Sequence, residues 1–171
     1  MRPLGIPTVR ERIAQTAVRM VLEPIFEREF ADHSYGFRTG RGCKDALRRV
    51  DELLKAGYTT IVDADLKSYF DTIPHDRLMA LVGQKVSDGR VLSLIESFLK
   101  QGVLDGLREW TPEEGSPQGG CISPLLSNIY LNPLAHPMAA QVCRMGRYAA
   151  ELRILWRAPE ARVDPAIEVV D

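Results

Sequence analysis

Apolar positions along the chain recur with two different periods. Ala14, Ala17, Val18, Val21, Leu22 and Ile25 follow the i, i+3, i+4, i+7 spacing of an amphipathic helix. Thr8 is placed to cap this helix at a start near Val9, Pro24 is expected to kink or interrupt it near Leu22, and the stripe predicts core packing. A second stripe, Cys43, Ala46, Leu47, Val50, Leu53 and Leu54, predicts a buried helix face from Gly42 to Ala56, with Gly57 ending it. Between Tyr58 and Leu66 the period shortens to two. Thr59, Thr60, Ile61 and Val62 are β-branched, as a strand favours. Alternation puts Thr60, Val62, Ala64 and Leu66 on one face and Ile61, Asp63 and Asp65 on the other.

A turn around Pro74 follows, and helices are predicted from Asp76 to Val86 and from Asp88 to Gln101. Val103-Leu104, Asp105-Gly106 and Leu107 read as a short hairpin with a type I′ turn. Ser123 suits an N-cap and Pro124 a first helical position, ahead of Leu125, Leu126, Ile129 and Tyr130. Met145 to Trp156 alternates weakly, as a strand or hairpin would, and a tail from Ala158 carries two prolines and scattered charge. No repeat or low-complexity tract divides the chain. The order of elements predicts an α+β fold, an antiparallel sheet backed by helices.

Composition sharpens this picture only in places. With 171 residues, 45% hydrophobic and 26% charged, the chain suits one domain or a piece of one, able to bury a core. It has no apolar run long enough for a membrane span and no secretory leader, so no membrane partner is expected. Cys43, Cys121 and Cys143 are widely spaced without a C-x-x-C, which disfavours a disulfide framework or zinc site and fits a reducing cytoplasmic location. The net charge of −1 argues weakly against nucleic-acid binding. Locally the balance differs: between Asp32 and Val50 stand five basic residues (Arg38, Arg41, Lys44, Arg48, Arg49) and two acids. Such a patch can engage phosphates, and it can equally be a solvated helix face.

Three stretches carry candidate chemistry. Asp63 and Asp65 lie two residues apart on a strand, roughly 6.6 Å, so their carboxylates can stand side by side. That arrangement is costly unless a cation sits between or beside them, and Mg²⁺ suits carboxylate oxygens. A solvated turn or helix cap is the competing reading. In Ser34-Tyr-Gly-Phe-Arg-Thr-Gly-Arg-Gly42 three glycines interleave with two arginines and two aromatics, a mix that fits phosphates and stacked bases or a tight surface loop. Glu114-Gly-Ser-Pro-Gln-Gly-Gly120 is a glycine-rich loop feeding a helix N-terminus, a natural place for phosphate or nucleotide, without the lysine and spacing of a P-loop.

Taken together these pieces resemble the reverse transcriptase domain of group II intron-encoded proteins, the intron maturases. The matching segments are Arg2-Pro-Leu-Gly-Ile-Pro-Thr8, Leu22-Glu-Pro-Ile-Phe26, Ser34-Tyr-Gly-Phe-Arg38 with Gly40-Arg41, Asp65-Leu-Lys-Ser-Tyr-Phe-Asp71 and Gly115-Ser-Pro-Gln-Gly-Gly120, in family order and with family-like spacing. The resemblance implies the fingers (1–57) and palm (58–157) of a right-hand polymerase, a tail over 158–171, and no thumb. It implies Asp65 as a catalytic carboxylate holding two Mg²⁺, with the backbone at Leu66 beside the metals, activating a primer 3′-hydroxyl and steadying the leaving pyrophosphate. Phe70 would exclude a 2′-hydroxyl and so select deoxynucleotides. Gln118 would touch the incoming nucleotide or template, and Arg2, Arg10, Arg38 and Arg41 would contact triphosphate or RNA. Implied partners are an RNA template, a DNA primer, deoxynucleoside triphosphates and intron RNA.

The match breaks at the family's Tyr-Ala-Asp-Asp. Here Arg147-Tyr-Ala-Ala-Glu151 aligns without a gap, so Ala150 replaces an essential ligand and Glu151 carries its charge one methylene further out. Arg153 adds a positive charge where the family usually has an apolar residue. One carboxylate cannot hold two Mg²⁺ against water and cation repulsion. Weak or absent polymerisation is therefore expected, from a fragment or degenerate copy that another chain or self-association would have to complete. The alternatives are a non-catalytic remnant that binds intron RNA, or a relic without a role.

Overall fold

The structure, a computed structural model, describes residues 5–105, 108–117, 119–140, 144–149 and 151–156. Helix α1 spans Val9–Glu27. Its first turn is closed by a capping box: Thr8 Oγ1 accepts from the Glu11 amide at 3.4 Å and the Thr8 amide donates to Glu11 Oε2 at 2.7 Å. Pro24 does not end it, contrary to the expected interruption. Leu22 and Phe26 on either side of the proline are both anchored in the core, which keeps the last turn helical despite the lost backbone bond. The predicted apolar stripe also divides. Ala14, Val18 and Leu22 pack inward, while Val21 and Ile25 face solvent.

Helix α2 runs Cys43–Lys55, close to its predicted limits, but only Leu53 of its predicted stripe is buried, and Cys43, Leu47 and Leu54 are exposed. Strand β1 spans Thr60–Asp65 and leads into a 3₁₀ turn, Tyr69–Asp71. Helices α3 (His75–Gly83) and α4 (Gly89–Leu99) follow, the second capped by Asp88, whose carboxylate accepts from the Arg90 and Val91 amides. Strands β2 (Val103–Asp105) and β3 (Arg108–Trp110) form an antiparallel ribbon as expected, but Asp105, expected in the turn, is the last residue of β2 and pairs with Arg108, so the connection falls one residue later, at positions outside the described residues. Helix α5, Ser123–Ala140, precedes strands β4 (Arg144–Tyr148) and β5 (Glu151–Trp156).

The architecture is α+β. Leu22 and Phe26 of α1, Leu78 and Val82 of α3, Ile95 and Leu99 of α4, and Leu126 and Ile129 of α5 converge in the main core. The three-stranded antiparallel sheet has the order β1-β5-β4. Its inner face joins Leu152 and Ile154 to Ala31 and to Ala135 of α5, with Ala64 and Leu66 packed alongside. That is the face the alternation predicted for Ala64 and Leu66. Helix α2 also touches β4, with Ala46 and Val50 lining a small cavity of about 30 Å³ beside Tyr148, Glu151 and Arg153. No helix among the described residues is long and apolar enough to cross a membrane.

Candidate functional site

The register of the sheet brings the candidate residues together. β1 and β5 pair so that Asp65 lies opposite Glu151 and Asp63 opposite Arg153. Residues directly opposite on antiparallel strands project to the same face. The carboxylates of Asp65 and Glu151 are therefore neighbours, and both residues are exposed. One strand step away, Arg153 Nε lies 3.4 Å from Asp63 Oδ1. The cation that the Asp63–Asp65 spacing calls for is thus supplied, at Asp63, by a guanidinium. Among the described residues no group of three or more His, Cys, Asp or Glu is gathered closely enough to hold a metal ion. Ala150 lies outside the described residues.

The turn after Asp65 is tied to the glycine-rich loop. Ser68 takes a left-handed conformation (φ 51°) and the chain tightens into the 3₁₀ turn. The Ser116 amide donates to the Phe70 carbonyl at 2.6 Å, the Gly115 amide to the Ile73 carbonyl at 2.8 Å, and His75 Nε2 to the Gly115 carbonyl at 2.6 Å. Gly115 has φ 90°, and a Cβ there would meet the Phe70 and Asp71 carbonyl oxygens at 2.8 Å, so a glycine is required. The other end of the loop is held by α1: Gln15 Oε1 accepts from the Cys121 amide at 2.7 Å. Ser123 does not cap α5 as predicted; its hydroxyl donates to the Pro117 carbonyl, fastening the loop to the first turn of α5. Gln118 and Arg2 lie outside the described residues.

A buried polar knot underlies the β4–β5 turn. Arg147, 1% exposed, donates to Ser34 Oγ at 2.5 Å, Asn128 Oδ1 at 3.0 Å and the Ala149 carbonyl at 3.2 Å. Its Nε has no hydrogen-bond partner among the described residues. Burial lowers its ionisation to about 10, with Arg38 pulling the same way and the Tyr69 phenol opposing, so it stays charged at neutral pH. Asn128 Nδ2 donates to the Gly36 carbonyl, the Tyr35 amide to the Arg147 carbonyl, and the Arg147 amide to the His33 carbonyl. The knot joins the glycine-arginine segment, α5 and the hairpin. Gly36 presses against the turn so closely that a Cβ would fall 2.2 Å from the Ala149 nitrogen. Sequence reasoning missed this knot. Its one signal is an arginine at a position of β4 whose opposite residue is apolar Leu152.

The remaining predicted residues are dispersed in role. Phe70 is half-buried, its ring edge-on to Phe37 (6.2 Å, 77°) and to Tyr69 (5.6 Å, 64°). The Tyr69 hydroxyl donates to the Ser127 carbonyl at 2.8 Å, and burial raises its phenol pKa. Leu66 is half-buried and packs against both core clusters. Arg10 stands exposed in the first turn of α1, on a different element from Asp65. Arg38 is built into the fold: its guanidinium pairs with Glu27 at 2.7 Å and donates to the Ala31 and Ser34 carbonyls at 2.8 Å, so an RNA contact there would have to break these bonds. Arg41 is half-buried and donates to the Asp32 carbonyl. Arg48 and Arg49 pair with Asp45 and Glu52. The basic stretch is therefore largely answered from within, because Glu27 and Glu52 lie just beyond the window in which its charges were counted.

A family model for reverse transcriptase (RNA-dependent DNA polymerase) matches residues 1–170. Protein YkfC of Escherichia coli is 46% identical over 136 residues, covering 77% of this chain and 36% of that protein. The group II intron-encoded protein LtrA of Lactococcus lactis is 44% identical over 134 residues, covering 78% of this chain and 22% of that protein. The chain thus spans about a third or less of the length of these curated relatives. Among solved structures, a partial Cas6-RT-Cas1–Cas2 complex matches with a TM-score of 0.56 and 25% identity over 91% of this chain and 28% of that one. Telomerase from Candida albicans matches with a TM-score of 0.61 and 13% identity over 85% of this chain and 30% of that one, which speaks to the fold alone. The Asp65 turn, the glycine-rich loop and the β4–β5 hairpin meet in one place within a chain that belongs to the reverse transcriptase (RNA-dependent DNA polymerase) family.

Proposed function

We propose that this chain carries fingers (1–57) and palm (58–157) portions of a group II intron-type RNA-directed DNA polymerase whose nucleotide-joining centre keeps Asp65 but has lost an essential metal ligand at Ala150. The observation that carries the reading is the pairing of Asp65 with Glu151 across the sheet, with the nearby Asp63 engaged by Arg153 and no group of three such side chains placed to hold a metal among the described residues. The donor set does not fit a pair of Mg²⁺. Two dications a few ångströms apart repel strongly and need bridging carboxylates and a near-octahedral shell of oxygens. Asp65 offers one aspartate, Glu151 a longer arm, and the Leu66 main chain at most a carbonyl. The reading is supported by the bracing of Phe70 between Tyr69 and Phe37 and by the bond from the Ser116 amide of the glycine-rich loop to the Phe70 carbonyl.

Primer extension on poly(rA)/oligo(dT) with Mg²⁺ tests the reading. The expected result is no extension above that of Asp65→Ala. Robust extension that Asp65→Ala abolishes would overturn it. A second reading, a non-catalytic chain that binds intron RNA, is favoured by the exposure of Arg10, Lys44 and Arg48. Under it, binding of a structured RNA weakens steeply with salt and weakens further in an Arg10→Ala, Lys44→Ala double variant. Salt-insensitive binding, or none, removes it.

A further inference from the structure

Phe37 is held in a backbone conformation that strains it. Its φ is 58°, in the left-handed region, where a Cβ crowds the carbonyl and a bulky side chain is a rare occupant. The conformation is imposed from both sides. Before it, the Tyr35 amide donates to the Arg147 carbonyl and Asn128 Nδ2 to the Gly36 carbonyl. After it, the Arg38 guanidinium is held by Glu27 and by the Ala31 and Ser34 carbonyls, and the Arg41 amide donates to the Arg38 carbonyl. A glycine would take this φ without strain. Packing does not account for the ring either: Phe37 is 47% exposed, whereas Phe26, Phe30, Tyr69 and Phe98 are buried. A strained side chain kept half in water is expected where a contact outside the fold requires it.

The place of the ring narrows that contact. Gly36 abuts the β4–β5 turn at Ala149. Phe37 itself meets Phe70, on the turn after Asp65, edge-on at 6.2 Å. Phe70 is held in turn by Tyr69, whose hydroxyl is tied to the Ser127 carbonyl. The ring therefore stands on a fixed support where the two turns beside Asp65 and Glu151 meet. A rigid, half-open aromatic surface suits a flat group, and every nucleobase offers such a face. Charge favours the same partner over an apolar peptide. The segment runs on into α2, where Lys44 is exposed in the first turn, a cation suited to the phosphates of the same strand. Phe37 is also the one large apolar side chain exposed between Phe30 and Ala46.

We propose that Phe37 is a stacking platform for an unpaired nucleobase of a nucleic-acid strand at the candidate site, held in its strained conformation by Arg38 and the Arg147 knot. The inference rests on the reading of this chain as part of a polymerase, and it needs neither a metal nor surviving chemistry.

Fluorescence anisotropy of fluorescein-labelled oligo(rA) with the full chain tests it. Phe37→Leu keeps an apolar side chain without a π face and is expected to weaken binding about tenfold. Phe37→Trp should bind at least as tightly as the parent. Stacking releases no counterions, so the slope of affinity against salt should be the same in Phe37→Leu as in the parent. In Phe37→Trp the oligonucleotide should quench indole emission beyond any quench of Trp110 and Trp156 in the parent. Phe37→Gly should bind as weakly as Phe37→Leu and yet melt higher than Phe37→Ala, since both lack the ring and only glycine relieves the φ. Parental affinity in Phe37→Leu, or emission of Phe37→Trp that oligo(rA) leaves unchanged, overturns the inference and leaves the polymerase reading standing. A Phe37→Gly variant that melts no higher than Phe37→Ala removes the strain and with it the proposal. Oligo(rA) that fails to bind the parent at low salt overturns both this inference and the RNA-binding reading, while primer extension decides the polymerase reading separately.

Discussion

Gly36 and Arg147 meet at the β4–β5 turn from opposite directions, one by having no side chain and the other by burying a charged one. A methyl group at Gly36 would fall on the backbone of Ala149, which has no rotamer through which to yield. Gly36→Ala is therefore expected to lower stability by about 2–3 kcal/mol. Gly40→Ala, where φ is 76° but space is open, should cost only about 1 kcal/mol. Urea denaturation midpoints of the two variants, compared at equal slope, check the ranking. Arg147→Ala strands Asn128 Oδ1, Ser34 Oγ and the Ala149 carbonyl in the interior, and a loss of about 3 kcal/mol is expected. Arg153→Ala breaks an ion pair whose partners are 40% and 62% exposed, so less than about 0.5 kcal/mol should be lost. The same denaturation series reads both, and equal losses would contradict the structural assignment of Arg147.

At the scale of elements, α1 shows how local signals and packing divide the work. Thr8 and Glu11 set its start by satisfying amides that the helix leaves unpaired. This cap lies in solvent, so Thr8→Ala is expected to cost about 1 kcal/mol, read as a lower melting temperature without loss of cooperativity. The same helix passes through Pro24 because core contacts on both sides of the proline outweigh one missing hydrogen bond. Strand β1 is an edge of the three-stranded sheet, paired only with β5 among the described residues, and Ile61 and Val62 are partly exposed on it. Its alternation is clear in the sequence. Its partner lies almost ninety residues away, so the register that sets Asp65 against Glu151 follows from long-range packing.

For the whole molecule, metal linkage offers a measure independent of catalysis. A ligand that binds only the folded state stabilises it according to its affinity. With the donors described, Mg²⁺ at about 10 mM should raise stability by less than about 0.4 kcal/mol, the gain when concentration equals the dissociation constant. Thermal unfolding with and without the ion checks this. A larger gain that disappears in Asp65→Ala would show that the centre still gathers a metal. The assembly of α1, α3, α4 and α5 around one core carries the sheet on its flank, and the candidate site sits where both meet the glycine-rich loop.

The sequence by itself determined the family, the α+β class and the order of elements, because five short motifs stand in series and hydrophobic periods announce helices and strands locally. It also determined that Asp63 and Asp65 share a face, since strand alternation is a property of the backbone. Only the tertiary structure decided which apolar face of α1 turns inward, because a helix with two such faces carries no local mark of which will be covered. It alone decided that Arg38 is bound by Glu27 and two carbonyls, that Arg153 is the cation at Asp63, and that Arg147 lies beneath the hairpin. Each of these depends on which distant residues come within hydrogen-bonding reach, and that is a matter of three-dimensional packing that no local window contains.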